Sequence, residues 1–153
     1  MRQHTIQTPY IIGEVHCYST TIEDELVLFD CGPPTVEALE SLKRQIDLPR
    51  LKYLFITHCH IDHFGLASMI RQESDARIFI PKAEDLKIRR RDDYLGRFTE
   101  LMEQAGVAAE KAAYIRGKME RELTLLPVGS YEVVEESPVP DELGMRWFSC
   151  PGP

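Results

Sequence analysis

The sequence predicts an α+β protein with one mixed β-sheet, flanking helices and a charge-rich helical segment. Short segments rich in β-branched and aromatic residues open the chain, at residues 3–8 and 11–20, and predict two strands of an antiparallel meander. A strand–helix–strand pattern follows over residues 26–56. Residues 82–122 then combine dense charge with apolar residues at helical spacing, which predicts two or three helices. These three observations define the fold class.

Composition bounds the protein further. At 153 residues, with 43% hydrophobic and 28% charged residues, the chain is predicted to form one folded domain. A net charge of −7 does not favour a nucleic-acid partner. No apolar run reaches transmembrane length and the N-terminus lacks a signal-peptide core, so we expect no membrane partner and a cytoplasmic location. The four cysteines form no C-x-x-C pair, and free thiols are expected.

The strand–helix–strand unit has clear local signals. Residues 26–29 are apolar on both faces, which predicts a central strand ended by Asp30. Thr35 is a candidate N-cap for the helix that follows. Residues 51–56 then predict the next strand. The helix between these strands is predicted to bury one apolar face, formed by Val36, Leu39, Leu42 and Ile46.

Further elements follow the second strand of this unit. Leu66, Met69 and Ile70 predict a short buried helix face, and residues 77–80 predict a compact strand. Three more strands are predicted near the end, at residues 123–128, 131–134 and 145–148, with Trp147 in the core and a proline-rich link over 135–141.

The strand at residues 51–56 leads into three histidines and one aspartate within six residues. His58 and His60 are separated by one residue, so in an extended loop their side chains point the same way and can bind one ion. Asp62 and His63 are offset and are better placed for a second ion. Imidazole nitrogens and a carboxylate suit zinc, manganese or iron. The alternative is a structural cluster, which would leave several polar groups to be satisfied without a metal.

These residues form an H-x-H-x-D-H motif, and over residues 10 to 80 the chain resembles the metallo-β-lactamase superfamily. Two flanking features agree with the motif. Residues 26–32 resemble the earlier strand of the family, which ends in an Asp-x-Gly turn, and Phe64-Gly65 stands where the family has a glycine-bearing turn that opens a helix.

The resemblance implies an αββα sandwich and a metal-dependent hydrolase, closest in style to glyoxalase II-like and lactonase-like members. It implies metal ligands at His58, His60, Asp62 and His63, with two ions, expected to be zinc, that activate water. Asp62 would also act in catalysis by orienting the nucleophile or moving its proton. Asp30 would support the loop that carries these ligands, residues 57–63 (the metal loop), from behind. Its simpler role is that of a turn residue. The expected substrate is a small ester, thioester or lactone.

The resemblance also implies that the chain is an N-terminal portion of such a domain. The family commonly has Pro-Gly-His where this chain has Pro151, Gly152 and Pro153, so its third histidine ligand is replaced by proline. We therefore expect residues 1–153 to be one partial domain with a cap-like helical insertion at 82–122. An exposed sheet surface would favour a homodimer. The alternative function is a catalytically incomplete fragment that binds metal or associates with itself.

Three features of the sequence carry two interpretations each. Cys59 is either a metal-adjacent thiol or a small residue filling space. The run Arg89-Arg90-Arg91 either meets an anionic substrate or forms a solvated helix face. Aromatic and methionine residues of the insertion either line a substrate pocket or pack between helices; they are Tyr94, Phe98, Tyr114 and Met119.

Overall fold

A six-stranded sheet forms the centre of the protein, and its strands lie in the order in which they occur along the chain. The computed structural model describes residues 1–11 and 13–150. The strands are β1 (Arg2–Gln7), β2 (Glu14–Ile22), β3 (Glu25–Phe29), β4 (Leu51–Phe55), β5 (Arg77–Ile80) and β6 (Glu132–Val133).

The pairing pattern divides the sheet into two halves. Strands β1, β2 and β3 pair antiparallel, whereas β3, β4, β5 and β6 pair parallel. The predicted meander and the predicted strand–helix–strand unit are both confirmed. Because the parallel strands end at the same edge of the sheet, the segments that follow β3, β4 and β5 lie side by side.

Side chains alternate between the two faces of the sheet. One face packs against helices α1 (Val36–Lys43) and α3 (Ala67–Glu73) through a large core that includes Ile6, Leu28 and Leu54. The other face carries a row of stacked rings across three strands. The ring centroid of Phe55 lies 5.7 Å from that of Phe29 and 4.8 Å from that of Phe79.

Helix α1 forms for the reasons that its sequence indicates. The Thr35 side chain accepts a hydrogen bond from the Ala38 backbone N–H, which confirms the predicted N-cap. Leu39 and Leu42 are buried as predicted, but Val36 is 63% exposed. The prediction was wrong for Val36. This residue is the first of the helix, and its side chain faces solvent at the helix end.

The segment predicted to be helical contains three helices: α4 (Lys82–Arg89), α5 (Arg91–Gln104) and α6 (Ala109–Leu123). Gly106, with φ of 84°, lies between α5 and α6, where the chain leaves the first helix. Helices α5 and α6 pack against each other. That this segment is an insertion in one partial domain stays a prediction.

The predicted strands near the end of the chain are mostly wrong. Residues 123–128 complete α6 and a turn; Leu123 and Leu126 are buried in the core beside the helices instead of in the sheet, and Val128 is 50% exposed. A short apolar run can be buried either in a sheet or against helices, so its hydrophobic pattern alone does not identify a strand. Only β6 forms, with two residues.

The last part of the chain also differs from prediction. The proline-rich link contains a 3-10 turn at Val134–Glu136 and helix α7 (Val139–Glu142). Residues 145–148 form no strand, and Trp147 is only half-buried, packed beside the ring row. The prediction about Pro153 lies outside the described residues. None of the helices within 1–11 and 13–150 is both long and apolar enough to cross a membrane.

Candidate metal centre

Three neighbouring strands deliver the candidate site to one edge of the sheet. Strand β3 leads into Asp30, β4 leads into residues 57–60, and β5 leads into α4. The histidine motif continues into a short helix, α2 (Ile61–Phe64), so Asp62 and His63 lie within this helix. Backbone bonds lock these segments together, because the Cys31 N–H donates to the His63 carbonyl oxygen at 2.7 Å.

Asp30 is the hub of the hydrogen bonds behind the site. Its backbone has a φ of 56°, a left-handed conformation that Asp and Asn tolerate better than most residues. One carboxylate oxygen accepts from the Thr57 N–H at 2.8 Å, and the other accepts from the Thr57 hydroxyl and from His63 Nδ1, each at 2.8 Å. Asp30 is therefore a turn residue that also holds Thr57 and His63 in place by hydrogen bonds.

These contacts assign the tautomers of two histidines. An ionised carboxylate only accepts, so His63 carries its proton on Nδ1 and presents Nε2. The Thr57 hydroxyl uses its proton on Asp30 and so accepts from His58 Nδ1 at 3.0 Å. His58 likewise presents Nε2. In metalloproteins, a hydrogen bond at one ring nitrogen commonly fixes the other as the ligand.

The presented nitrogen atoms each lie close to an atom of another candidate ligand. His58 Nε2 lies 3.0 Å from His60 Nδ1, and His63 Nε2 lies 3.3 Å from an Asp62 carboxylate oxygen. Without a metal ion, a proton on His60 Nδ1 completes the first contact as a hydrogen bond, and a proton on His63 Nε2 completes the second. Two ligand atoms each at about 2.0–2.1 Å from a tetrahedral ion lie roughly 3.3 Å apart. Both pairs fit that spacing.

The electrostatic environment separates His58 from His63. Burial lowers the pKa of His58, and the positive charge that His63 and His60 can carry lowers it further. Burial also opposes protonation of His63, but the hydrogen bond and charge of Asp30 and the charge of Asp62 outweigh it and raise the pKa of His63. A metal ion bound by His63 and Asp62 would therefore have to compete with a proton.

The four predicted ligands are close together but form two pairs. The ring centroid of His58 lies 4.5 Å from that of His60 and 4.1 Å from that of His63. Within the part of the chain that the structure describes, no group of three His, Cys, Asp or Glu side chains is arranged to hold an ion. Each pair supplies two ligands, whereas a catalytic zinc usually has three from the protein.

A buried glutamate connects the metal loop to α4. Glu84 is 7% exposed, and one of its oxygens accepts from the Cys59 backbone N–H at 3.0 Å. Its other oxygen accepts from Lys87 Nζ at 2.7 Å. Cys59 lies between His58 and His60, so this contact fixes the backbone between the two histidines. Burial is the main cause that raises the pKa of the Cys59 thiol, which is consistent with a neutral side chain that fills space.

The other residues of the helical segment 82–122 that could meet a substrate lie in different places. Arg89 binds Asp85, with Nε–O distances of 2.7 and 2.9 Å, so the arginine run does not reach the histidines through this side chain. Tyr94, Phe98 and Met119 lie around a cavity that His60 also lines. Tyr114, predicted to belong with them, is 70% exposed.

Sequence reasoning missed Thr57 and Glu84. A signal for Thr57 was available, since it directly precedes His58 and has a hydroxyl that can bridge Asp30 to the loop. Glu84 is 25 residues from Cys59 and sits in a charge-rich segment, so only its burial distinguishes it from solvated neighbours.

The fold and the site together define a class: a mixed β-sheet flanked by helices, with a loop rich in histidine and aspartate at the carboxyl edge of its parallel strands. The model of the metallo-beta-lactamase superfamily matches residues 12–144. The chain therefore belongs to the metallo-beta-lactamase superfamily. The predicted resemblance and the predicted fold class, a mixed sheet with flanking helices, are confirmed.

Comparison with solved structures agrees on the fold. A metallo-beta-lactamase family protein of Thermus thermophilus is 22% identical with a TM-score of 0.61, and the match covers 76% of this chain and 41% of that chain. A beta-lactamase domain protein from Burkholderia ambifaria is 20% identical with a TM-score of 0.48, covering 54% of this chain and 28% of the other. This chain thus spans about two fifths of the Thermus chain. No curated protein matches it.

Proposed function

We propose that this chain carries the first metal-binding half of a metal-dependent hydrolase that cleaves a small ester, thioester or lactone. The observation that carries the proposal is the pair of contacts from Asp30, one direct to His63 and one through Thr57 to His58. Both contacts orient an imidazole nitrogen toward a neighbouring ligand atom. Metal sites commonly hold their histidine ligands in this way, with one ring nitrogen bonded to a carboxylate or hydroxyl group and the other left to the metal.

The residues have separate roles in this proposal. His58 and His60 hold one ion, and Asp62 with His63 holds a second. Zinc is the expected metal, and iron or manganese suit the same donors. Asp62 is the candidate that orients the nucleophile or accepts its proton. When bound, the metal supplies a water of pKa near 7 and polarises the scissile carbonyl.

Elemental analysis of protein sized by light scattering tests this proposal. We expect up to two metal ions per chain, and hydrolysis of a thioester or lactone that is lost on chelation and restored by zinc. His58→Ala should lower the metal content and should reduce hydrolysis by more than about 10–100-fold, the usual effect of removing a group outside the ligand set. His16→Ala is the matched control, because His16 is exposed on β2 and binds Gln3 and Thr5.

The alternative function is a metal-binding or self-associating module without catalysis. It is favoured by the arrangement of the described residues as two ligand pairs without a third ligand for either. Metal uptake or dimerisation with no turnover of any ester, thioester or lactone would support this alternative and contradict the hydrolase. Equal metal content and activity of His58→Ala and the unaltered chain would contradict both.

A further inference from the structure

A cavity of about 310 Å³ lies between the metal loop and the helical segment. Its loop side is formed by Cys59 and His60, and its helical side by residues of α4, α5 and α6. Such a volume is at the lower end of the range for small-molecule sites. The cavity therefore has room for part of a small substrate. His60, a candidate metal ligand, lines one side of it.

Large apolar side chains form most of the helical wall. Tyr94 and Phe98 come from α5, and Met119 and Leu123 come from α6. Tyr94, Phe98 and Met119 are partly buried, whereas Leu101 on α5 is 55% exposed and lies outside the cavity. Helices α5 and α6 thus present an apolar surface to the cavity, whereas Leu101 lies on a different side of α5 and faces solvent.

The charged groups of the wall already have partners. Lys87 Nζ binds Glu84 at 2.7 Å and lies 5.7 Å from the centroid of the Tyr94 ring. A carboxylate oxygen of Glu122 lies 3.7 Å from Lys118 Nζ. A charged ligand group would have to displace one of these ion pairs or be buried without a counter-charge, which is costly. An uncharged apolar group meets neither penalty.

We infer that this cavity binds an uncharged alkyl or aryl group of the substrate. This group is joined to the ester, thioester or lactone bond, which is cleaved beside His60. The inference rests on the proposed function, which supplies the scissile bond. The apolar wall of α5 and α6 selects the group by its length and shape, and the paired charges of Lys87 and Glu122 exclude charged groups.

Binding is tested separately from hydrolysis, by methyl NMR of the full chain with ¹³C-labelled methionines. The Met119 resonance, identified by its loss in Met119→Leu, is followed during titration with ethanol, 1-butanol and 1-hexanol. We expect saturable shifts whose dissociation constant falls by up to about fourfold per added methylene. Hexanoate and hexylammonium should bind at least about tenfold more weakly than 1-hexanol.

Matched variants on α5 locate the effect. Phe98→Trp fills the cavity and should weaken 1-hexanol binding, whereas Leu101→Trp on the exposed side should leave it unchanged. If Phe98→Trp does not fold, Phe98→Ala serves instead, because it enlarges the cavity and should move the preference toward longer alcohols. An unmoved Met119 resonance, or equal effects of Phe98→Trp and Leu101→Trp, would overturn the inference.

A second assay separates this inference from the proposed function. The zinc-loaded chain is given 4-nitrophenyl acetate, butyrate and hexanoate. Alcohol binding at Met119 without hydrolysis of any ester would support an apolar pocket and contradict the hydrolase. Hydrolysis that is independent of acyl length would support the hydrolase and overturn the role of the cavity.

Discussion

The carboxylate of Glu84, on α4, accepts a hydrogen bond at 3.0 Å from the backbone N–H of Cys59, the residue between His58 and His60. A helix of the charge-rich segment is thereby tied to the backbone of the metal loop. The same carboxylate binds Lys87, so a full positive charge holds it in place while it accepts from the loop.

Substitution of Glu84 should change metal retention according to whether an acceptor remains. Glu84→Ala removes the acceptor and leaves the Cys59 N–H and Lys87 without a partner, so we expect weaker zinc binding by about 10–100-fold. Glu84→Gln keeps an amide oxygen in nearly the same place and should retain most of the affinity. Competition with a fluorescent zinc chelator measures both; identical affinities for the Ala and Gln variants would show that this contact does not position the loop.

Asp30→Asn tests the hub behind the histidines. Asparagine tolerates the positive φ, so we expect the fold to be retained. Its amide nitrogen cannot accept from Thr57 or His63, and zinc affinity should fall by about 10–100-fold. Asp24→Asn is the control, because Asp24 has a φ of 67° in the β2–β3 turn and is exposed. Zinc titration followed by calorimetry checks the pair, and an unchanged affinity in Asp30→Asn would count against the role of Asp30.

A glycine pair provides a test of packing beneath the site. A Cβ at Gly65 would lie only 2.6 Å from the backbone nitrogen of Pro34, whereas a Cβ at Gly96 has nothing within 4 Å. We expect Gly65→Ala to lower the free energy of unfolding by about 1–3 kcal/mol, because the turn after β3 and α2 must move apart. Gly96→Ala, inside α5, should raise it by about 0.5–1 kcal/mol. Urea denaturation measures both, and the reverse order would contradict this packing.

His4 should make stability depend on pH. It is fully buried, its Nε2 lies 2.7 Å from the Ser19 hydroxyl, and burial together with the charge of Arg2 lowers its pKa from 6.5. The unfolded chain therefore binds a proton more readily than the folded one. Stability should be at its full value above about pH 6.5 and should be lost as the pH falls toward the lowered pKa of the folded state.

The variant His4→Gln isolates this contribution. Its free energy of unfolding should decrease less between about pH 7 and 5 than that of the unaltered chain, as measured by urea denaturation at each pH. His16→Gln, on the exposed side of β2, is the matched histidine substitution. If both variants lose the same part of the pH dependence, burial of His4 is not its cause.

Much of this architecture was predictable because its signals are local. Alternation along β2, the N-cap at Thr35 and the spacing from His58 to His63 each depend on residues close in sequence. The partners of the site were less accessible. Glu84 meets Cys59 only because β5 is parallel to β4 and delivers α4 to the same edge of the sheet. That relationship depends on strand order, which no short window contains.

The wrong strands near the end have the same kind of explanation. Leu123 and Leu126 are buried, as their apolar character indicates, but against helices. The apolar character of a residue predicts that its side chain is buried. Whether the residue joins a sheet also depends on a neighbouring strand with which it can pair. Met145 and Trp147 instead cover part of the ring row formed by Phe29, Phe55 and Phe79.

The strand order has a consequence for how the molecule assembles. Each strand pairs with the strand that precedes it in the chain, from β1 through to β6. As the polypeptide leaves the ribosome, the strand with which each new strand pairs has therefore already been synthesised. The loop bearing His58 to His63 emerges after β3 and can settle against Asp30 before the helices that border the cavity have been synthesised.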